Sequence, residues 1–525
     1  MTAKLKLSTL EGWLWDSATI LRGSIDSADF KNYIFGLLFL KRFNDVFEEA
    51  ITRIIEKDHI TRAAAEKKTY FKMPPESRWE DIKVKTENIG NALDIAFAAI
   101  ERENATLEGV MTATKFNDKE KLSDEILKRL LQHFSKHSLK NQDLYTPDLL
   151  GDAYEYLLKQ FADDAGKKGG EFYTPKGVAI TIVRLIKPQP GNTVYDPTCG
   201  SGGMLIESAK YVAALLKGKT DNHINISLYG QEKNLGTWAI AKMNMILHNF
   251  MDADLRKGDT LTDPLHKNKK NELRQYDRVI ANPPFSQSGW WTPAETTHEV
   301  KLDKNGKEKK ITPNYTKAVV DKYNRFVFGI PPRGYADLAF VQHMLAVLAK
   351  DGKAGVVLPH GALFRSGTEG AIREKLLKAD VIEAIIGLPA ALFYNTTIPA
   401  SIWIIGKSRP AHLKNKVIII DASNEYKEGK NQNELLDTHI NKIVNTYDHF
   451  VLGNNMKVND KFARTVDIAE IAQNEYSLNI SRYINSSEIE VAINLHEVKA
   501  AISELEAKEK VIDQTLANYL KELGI

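Results

Sequence analysis

Residues 280–285, Ile-Ala-Asn-Pro-Pro-Phe, could hold a flat group that carries an NH2. The preceding apolar run at residues 276–279 predicts a buried strand, so Asn282 should lie where a strand ends. Two successive prolines lack N–H groups and leave carbonyl acceptors, and the Asn282 side-chain oxygen adds another. Phe285 provides an apolar face for stacking. The alternative is an Asn-Pro turn followed by a core phenylalanine.

A glycine-rich turn at residues 196–203, Asp-Pro-Thr-Cys-Gly-Ser-Gly-Gly, follows one strand-like run and precedes a helix-like segment. Glycine allows a ligand to approach the backbone closely, so the turn predicts a binding site. It is neither a phosphate-binding loop nor the usual dinucleotide fingerprint. Residues 406–408 look like the end of a phosphate-binding loop, but Ser401 stands where its first glycine should be.

The two motifs together resemble the amino-methyltransferases of DNA, which transfer a methyl group from S-adenosylmethionine to an exocyclic base amine. Their order, with cofactor elements before the catalytic loop, is that of the gamma class, typical of N6-adenine enzymes. The length, the helical front and residues 478–483, Leu-Asn-Ile-Ser-Arg-Tyr, resemble the modification subunit of a type I restriction-modification system. The resemblance implies an α/β fold: a Rossmann-like methyltransferase sheet, preceded by an α-helical N-terminal domain and followed by a C-terminal helical tail.

The resemblance also implies which residues bind the cofactor, S-adenosyl-L-methionine. Residues 170–175 resemble the family motif upstream of the glycine loop, Glu232 ends the next strand where relatives bind the ribose hydroxyls, and residues 258–261 resemble the element that touches the adenine. The implied cofactor-binding residues are Glu171, Phe172, Tyr173, Thr174, Asp196, Gly200, Ser201, Gly202, Gly203, Glu232 and Asp259. The implied catalytic residues are Asn282, Pro283 and Phe285, and no metal ligand is expected.

The expected function is site-specific adenine-N6 methylation of DNA, on a base rotated out of the duplex. The expected partners are DNA, a specificity subunit, a second copy of this chain and a restriction or translocase subunit. Two other functions stay open: a protein or RNA amino-methyltransferase, because a glutamine amide also carries an NH2, and a catalytically weak scaffold in a DNA-binding complex. The target sequence is not readable from the chain, and cytosine too presents an exocyclic amine.

The overall composition indicates a globular protein. Hydrophobic residues make up 43% of the chain and charged residues 26%, and the net charge of +3 is too small to indicate nucleic-acid binding by itself. The single cysteine, Cys199, excludes an intramolecular disulfide and fits a reducing cytoplasm. A small side chain in a tight turn explains Cys199 better than a nucleophile does. With no signal segment or long apolar span, a cytoplasmic protein without a membrane segment is expected.

Four regions are predicted along the 525 residues. They are a helical N-terminal domain at 1–165, the methyltransferase domain at 166–410, a C-terminal extension at 411–487 and a partner-binding helix at 488–525. Apolar residues at helical spacing predict helices at 7–21, 30–55, 124–137 and 149–161. The predicted strands are 194–196, 226–231, 278–281, 355–358, 381–388 and 402–405, and the catalytic fold is expected to end near Val417.

Two further segments lie outside these elements. The insertion at about 286–325 combines Trp290 and Trp291 with a lysine run, so it could follow a phosphate backbone, although a solvated surface loop is an equal alternative. The lysines of that run are Lys301, Lys304, Lys307, Lys309 and Lys310. Residues 393–397 lie at a strand end and could line the base pocket.

The last helix shows a heptad pattern. Its apolar residues keep alternating steps of three and four, which predicts packing along other helices in coiled-coil fashion. These residues are Leu495, Val498, Ile502, Leu505, Ile512, Leu516, Tyr519 and Leu523, with Glu509 as the polar interruption. Packing of this helix back onto its own domain is the alternative.

Overall fold

The computed structural model forms two compact units, Met1–Ile484 and Asn485–Ile525. The structure describes residues 4–26, 29–145, 149–164, 174–216, 225–291, 300–302, 308–310, 321–393, 398–429, 432–453, 459–485 and 495–524. No helix within these ranges is long and apolar enough to cross a membrane.

The first part of the larger unit is helical, as predicted. Its helices are α1 (Leu7–Leu21), α2 (Phe30–Asp58), α3 (Arg62–Lys68), α4 (Trp79–Lys83), α5 (Ile89–Glu103), α6 (Asp124–Phe134) and α7 (Leu149–Asp164). The predicted apolar face of α2 is buried, with Phe35, Phe39 and Phe43 in the core. The helix ends where His59 adopts a left-handed conformation and its N–H bonds to the carbonyl of Ile55.

A nine-stranded sheet forms the centre of the larger unit, in the order β11-β10-β8-β9-β7-β4-β1-β2-β3. The strands are β1 (Thr193–Asp196), β2 (Ser227–Glu232), β3 (Asp254–Lys257), β4 (Tyr276–Ala281), β7 (Leu348–Pro359), β8 (Ile382–Gly387), β9 (Ala400–Gly406), β10 (Lys416–Asp421) and β11 (Ala463–Asp467). β1 pairs in parallel with β2 on one side and with β4 on the other. The strand order therefore changes direction at β1, and a crevice forms there at the carboxyl ends of the strands.

Helices cover both faces of the sheet. They are α8 (Lys176–Ile186), α9 (Gly203–Leu216), α10 (Leu235–Leu247), α11 (Asp337–Val347), α12 (Gly361–Phe364), α13 (Thr368–Lys378), α14 (Asp437–Leu452) and α15 (Ile468–Gln473). Alternate residues of β4 enter opposite cores: Ile280 packs with α8 and α9, whereas Val279 and Ala281 pack with α11. This two-sided burial explains why the strand is apolar on both faces.

The sheet extends further than the sequence indicated. Each predicted strand is present, but the catalytic fold does not end near Val417, because β10 pairs in parallel with β8 and β11 pairs with β10. The run Val417–Ile418–Ile419–Ile420 is buried on both faces, which a strand inside a covered sheet requires. β3 was also missed, since its four residues carry only one buried apolar side chain, Leu255. The predicted domain boundaries stay predictions.

The start of the insertion is packed into the protein. Trp290 and Trp291 are 3% and 6% exposed and lie in a cluster with Leu261, Ala336 and Phe340. Buried rings offer no face for stacking on a base, so the two tryptophans pack in this cluster and fit neither a nucleic-acid contact nor a solvated loop. The role of the rest of the insertion stays a prediction. β5 (Val300–Leu302) and β6 (Glu308–Lys310) form a separate antiparallel pair. The side chains of the lysine run lie outside the described residues.

The smaller unit contains the predicted terminal helix, α16 (Leu495–Glu522). Its described heptad side chains are exposed, from 50% at Ile502 to 73% at Leu523. No described residue of this unit covers the apolar face of α16.

Candidate active site

Asn282 follows directly after β4, at the crevice beside β1. Its side-chain Nδ2 donates a hydrogen bond of 3.0 Å to Thr174 Oγ1, 108 positions earlier in the chain. Its Oδ1 atom is buried and has no hydrogen-bond partner among the described residues. The contact with Thr174 orients the amide so that a buried acceptor stays available for a ligand.

The other residues of the catalytic loop have different environments. Pro283 is buried and Pro284 is exposed at the cavity wall. The Phe285 ring meets the Phe393 ring edge to face, with centroids 5.4 Å apart. That contact orients Phe285, while its stacking role stays a prediction. Of the predicted segment 393–397, residues 394–397 lie outside the described residues.

Ser286 ends the loop in a left-handed conformation, with φ of 51°. Asp337 accepts a hydrogen bond of 2.9 Å from the Ser286 N–H, and Arg365 donates to the Ser286 hydroxyl at 2.9 Å. Arg365 also contacts Asp337 at 2.8 Å, so one ion pair holds both sides of the turn. These contacts offset the backbone strain of a non-glycine residue at positive φ. Asp337, the first residue of α11, thus anchors the catalytic loop.

The glycine-rich turn adopts the conformation that its residues indicate. Gly200 and Gly202 have φ of 53° and 81°. A Cβ at Gly202 would lie 2.7 Å from the terminal methyl of Met245, a flexible side chain that can move, so the positive φ is the reason this position favours glycine. Asn244 donates a 2.9 Å hydrogen bond to the Ser201 carbonyl and ties the turn to α10.

Asp196 lies beneath the turn and is fully buried. One carboxylate oxygen accepts a 2.9 Å bond from the Thr198 N–H, and the other has no partner among the described residues. Burial, with a smaller contribution from the charge of Glu232, raises the pKa of Asp196 to about 8. Asp196 supports the turn and does not line the cavity.

Glu232 ends β2 and faces the glycine turn. Its carboxylate accepts hydrogen bonds from the N–H groups of Gly200, at 3.2 Å, and Asn234, at 2.7 Å. Burial raises its pKa. Each carboxylate oxygen has further acceptor capacity, so Glu232 can still bind hydroxyl donors in the cavity.

Asp259 lies on the loop after β3 and accepts a 3.0 Å bond from the Leu261 N–H. Lys233 contacts its other oxygen at 2.8 Å. Arg325, at the end of the insertion, donates to the carbonyls of Thr260 and Leu261 at 2.9 and 2.6 Å. The insertion therefore returns to the protein at this cavity wall, a contact that the sequence did not reveal.

A cavity of about 700 Å³ brings most of these residues together. The predicted residues that line it are Thr174, Gly200, Ser201, Gly203, Glu232, Asp259 and Asn282. The predicted site residues that the structure describes but that do not line the cavity are Asp196, Gly202, Pro283 and Phe285. Glu171, Phe172 and Tyr173 lie outside the described residues.

The cavity also has lining residues that the sequence analysis missed. They include Glu155, Lys176, Glu207, Lys233, Gln287 and Phe340. For Glu155 and Lys176, the available sequence signal was their position on either side of residues 170–175. No such sequence signal marked the other four residues. Burial raises the pKa of the Cys199 thiol well above its usual value, which disfavours a thiolate nucleophile. No metal-binding group of acidic, histidine or cysteine side chains occurs in the described part of the chain.

Two family profiles match the chain. The family described as N-6 DNA Methylase matches residues 145–492, and the HsdM N-terminal domain matches residues 10–134. The first match covers the sheet, the glycine turn and the catalytic loop.

Individual proteins agree with these matches. The type I restriction enzyme MjaVIII methylase subunit of Methanocaldococcus jannaschii is 34% identical over 92% of this chain and 77% of its own length. The HindI methylase subunit of Haemophilus influenzae is 29% identical over 86% of this chain and 100% of its own. The crystal structure of a type I restriction-modification methyltransferase subunit from Streptococcus thermophilus has a TM-score of 0.74 and 29% identity, covering 91% of this chain and 100% of the other. The chain belongs to the N-6 DNA methylase family, as a modification subunit of the type I restriction-modification kind.

Proposed function

We propose that this subunit transfers a methyl group from S-adenosylmethionine to the N6 amine of an adenine in DNA, at a site selected by a specificity subunit. The observation that carries this proposal is the buried Asn282 Oδ1, unpartnered among the described residues, in the same cavity as the glycine turn. Asn282 Oδ1 could accept a hydrogen bond from an NH2 group of a substrate that lies next to the bound cofactor.

The amine of adenine is a poor nucleophile because its lone pair is delocalised into the ring. Asn282 Oδ1 accepts one hydrogen bond from this amine in the proposed complex, and the Pro283 carbonyl accepts the other. These two acceptors favour a pyramidal nitrogen whose lone pair points at the methyl carbon. The loop residues 282–286 include no charged side chain, so positioning is the main contribution of this loop.

A base inside a duplex cannot reach this crevice, so the adenine must leave the stack at a cost of a few kcal/mol. Phe285 offsets part of that cost by stacking on the base, which contributes roughly 1–3 kcal/mol in single-strand binding sites. Phe393 holds the Phe285 ring from the side. Apolar stacking and two directed acceptors together select a planar base with an exocyclic amine.

The cavity residues fit the cofactor. Glu232 would provide carboxylate acceptors for the ribose hydroxyls and Asp259 would contact the adenine. Gly203, where a Cβ would meet only Ser201 Oγ at 3.9 Å, would allow close approach to the backbone. When bound, S-adenosylmethionine supplies an electrophilic methyl group on its sulfonium. The protein residues hold the two reactants and keep Asn282 oriented through Thr174.

The same proposal gives the remaining regions a role in assembly. Residues 1–165 and 488–525 contact partners, and residues 166–410 with the extension at 411–487 form the catalytic part. Type I methylase subunits are the relatives of this chain, so the partners proposed are a specificity subunit, a second copy of this chain and a restriction or translocase subunit.

Asn282→Ala and Phe285→Ala should each abolish methylation of DNA while cofactor binding stays close to that of the wild type. Loss of an aligned acceptor or of the stacking face affects the base and leaves the glycine turn intact. The measurement is transfer of labelled methyl to DNA, beside calorimetric titration with S-adenosylmethionine. Asn441→Ala, at an exposed residue of α14, is the matched control. A folded Asn282→Ala protein that loses cofactor binding equally contradicts these roles.

The dependence on a partner is tested with the same transfer assay, using the chain alone and with its specificity subunit, followed by nucleoside analysis. Methyladenine that forms only with the partner supports the proposal. Methyladenine from the chain alone places recognition inside this chain. Cofactor binding without DNA methylation under either condition favours a protein or RNA substrate.

A further inference from the structure

Part of the cavity wall is formed by charged residues that the roles above do not use. Glu155 lies on α7, Lys176 begins α8 and Glu207 lies in the first part of α9, and all three line the cavity. Lys210 on α9 contacts Asp152 on α7 at 2.9 Å, which holds these two helices together at the wall. Two carboxylates and one ammonium group therefore meet at a place distinct from Glu232 and Asp259.

Glu155 is 9% exposed, and its carboxylate makes no hydrogen bond to any described residue. The basic atom within ion-pair distance is His248 Nε2, at 3.9 Å. Burial lowers the pKa of His248 to about 3, so this ring is neutral at pH 7. Lys210 donates its hydrogen bond to Asp152 and acts on Glu155 through its charge, without a hydrogen bond to the Glu155 carboxylate among the described residues. The carboxylate of Glu155 thus faces the cavity without a bonded cation among the described residues.

A buried carboxylate without a partner destabilises the fold, so its position at a ligand cavity requires an explanation. Burial raises the pKa of Glu155 to about 7, although the charges of Lys210 and Lys176 oppose this shift. A cationic group on the ligand would compensate the charge. Lys176 provides the opposite charge nearby, at the amino end of an eleven-residue helix where the dipole also favours an anion.

We propose that Glu155 binds the α-ammonium group of the cofactor's amino-acid part and that Lys176 binds the adjacent carboxylate. The inference rests on the proposed function and names the residues that bind the end of the cofactor away from the adenine. Opposite charges on neighbouring groups of the ligand match opposite charges on neighbouring groups of the wall. A helix of the amino-terminal helical region, α7, then becomes part of the cofactor site.

The test compares two ligands on the full-length chain. S-adenosylhomocysteine carries the amino-acid part, whereas methylthioadenosine lacks it. Glu155→Gln should weaken calorimetric binding of S-adenosylhomocysteine by about 10-fold to 100-fold, the usual effect of losing a charge-assisted bond. Its binding of methylthioadenosine should be unchanged. Lys159→Gln, at an exposed position of the same helix that does not line the cavity, should leave both affinities unchanged.

Lys176→Met provides a second variant at an exposed position and should show the same ligand selectivity. Equal weakening of both ligands by Glu155→Gln, or an equal loss in Lys159→Gln, overturns the inference. So does unchanged binding of S-adenosylhomocysteine in a folded Glu155→Gln protein. If the wild type binds neither ligand, the proposed function itself fails. If Glu232→Ala weakens both ligands while Glu155→Gln weakens neither, only the inference fails.

Discussion

Buried carboxylates surround the cavity, and each carries a cost in stability. Burial raises the pKa of Asp196, of Glu232 and of Glu155, because a charge in a dry environment is unfavourable. Such groups persist when binding requires them, so residues that weaken the free protein can be the ones that strengthen the complex. Glu155 tests this directly, because no described hydrogen bond compensates it.

Glu155→Gln should make the ligand-free protein more stable at pH 8 than the wild type, but no more stable at pH 4. The raised pKa means that the unfolded chain ionises from about pH 4.5, whereas folded Glu155 stays protonated up to about pH 7. The free energy of unfolding of the wild type therefore falls as the pH rises from about 4.5 through about 7. Glutamine does not ionise, so the variant lacks this decrease. Thermal unfolding of both proteins across this range measures the difference.

The other titratable groups around Glu155 are common to both proteins, so the difference isolates Glu155. They are Asp152, Lys176, Glu207, Lys210 and His248. Below about pH 6.5 the unfolded chain protonates His248 whereas the folded protein does not, because the folded pKa is about 3. This lowers the stability of the wild type and of the variant alike. A variant less stable than the wild type at pH 8 would show that the Glu155 carboxylate is compensated in the fold.

The catalytic loop is held in place by residues from other parts of the chain. Asp337 at the start of α11 and Arg365 after α12 bind both sides of the Ser286 turn. Asp337 is fully buried, so water does not weaken these contacts. Since alignment of the reacting atoms depends on small distances, this tether should affect the reaction more than cofactor binding.

Asp337→Ala should lower the methylation rate by about 100-fold, the order expected when a loop shifts by about 1 Å. Asp337→Asn keeps an acceptor for the Ser286 N–H and should retain more activity than the alanine variant. The Kd for S-adenosylmethionine should stay near the wild-type value in both. Single-turnover methyl transfer, with equilibrium binding alongside, measures the two effects. A rate unchanged in a folded Asp337→Ala protein would show that Ser286 needs no tether.

On the scale of the whole molecule, α16 presents a long apolar face in the smaller unit. Leu505, Ile512 and Leu516 are each more than half exposed. Isolated apolar side chains are common on surfaces, but a continuous heptad face is typical of helices that pack against other helices. Partner binding is therefore the role proposed for this helix.

Replacing Leu505 and Leu516 together by glutamate should prevent stable association with the specificity subunit, because charges would face the apolar interface. The affinity of the chain for S-adenosylmethionine should not change, since neither residue lines the cavity. Size-exclusion chromatography of the mixed subunits measures assembly. Glu506→Gln on the same helix is the control. Assembly equal to that of the wild type would assign the partner surface to another region.

The sequence by itself determined the local chemistry of this protein. The Asn-Pro-Pro-Phe loop, the glycine turn and the period of α2 each depend on residues close together in the chain, so backbone conformation and burial follow from short patterns. For the same reason each predicted strand is present. The heptad of α16 also required no tertiary information.

Only the tertiary structure decided which distant residues share the site. Thr174 orients Asn282, Asp337 holds Ser286, and Glu155 reaches the cavity because strand order and helix packing bring separate segments together. The burial of Trp290 and the extension of the sheet to β11 have the same origin. Contacts between distant segments depend on the packing of the whole chain, which no local pattern encodes.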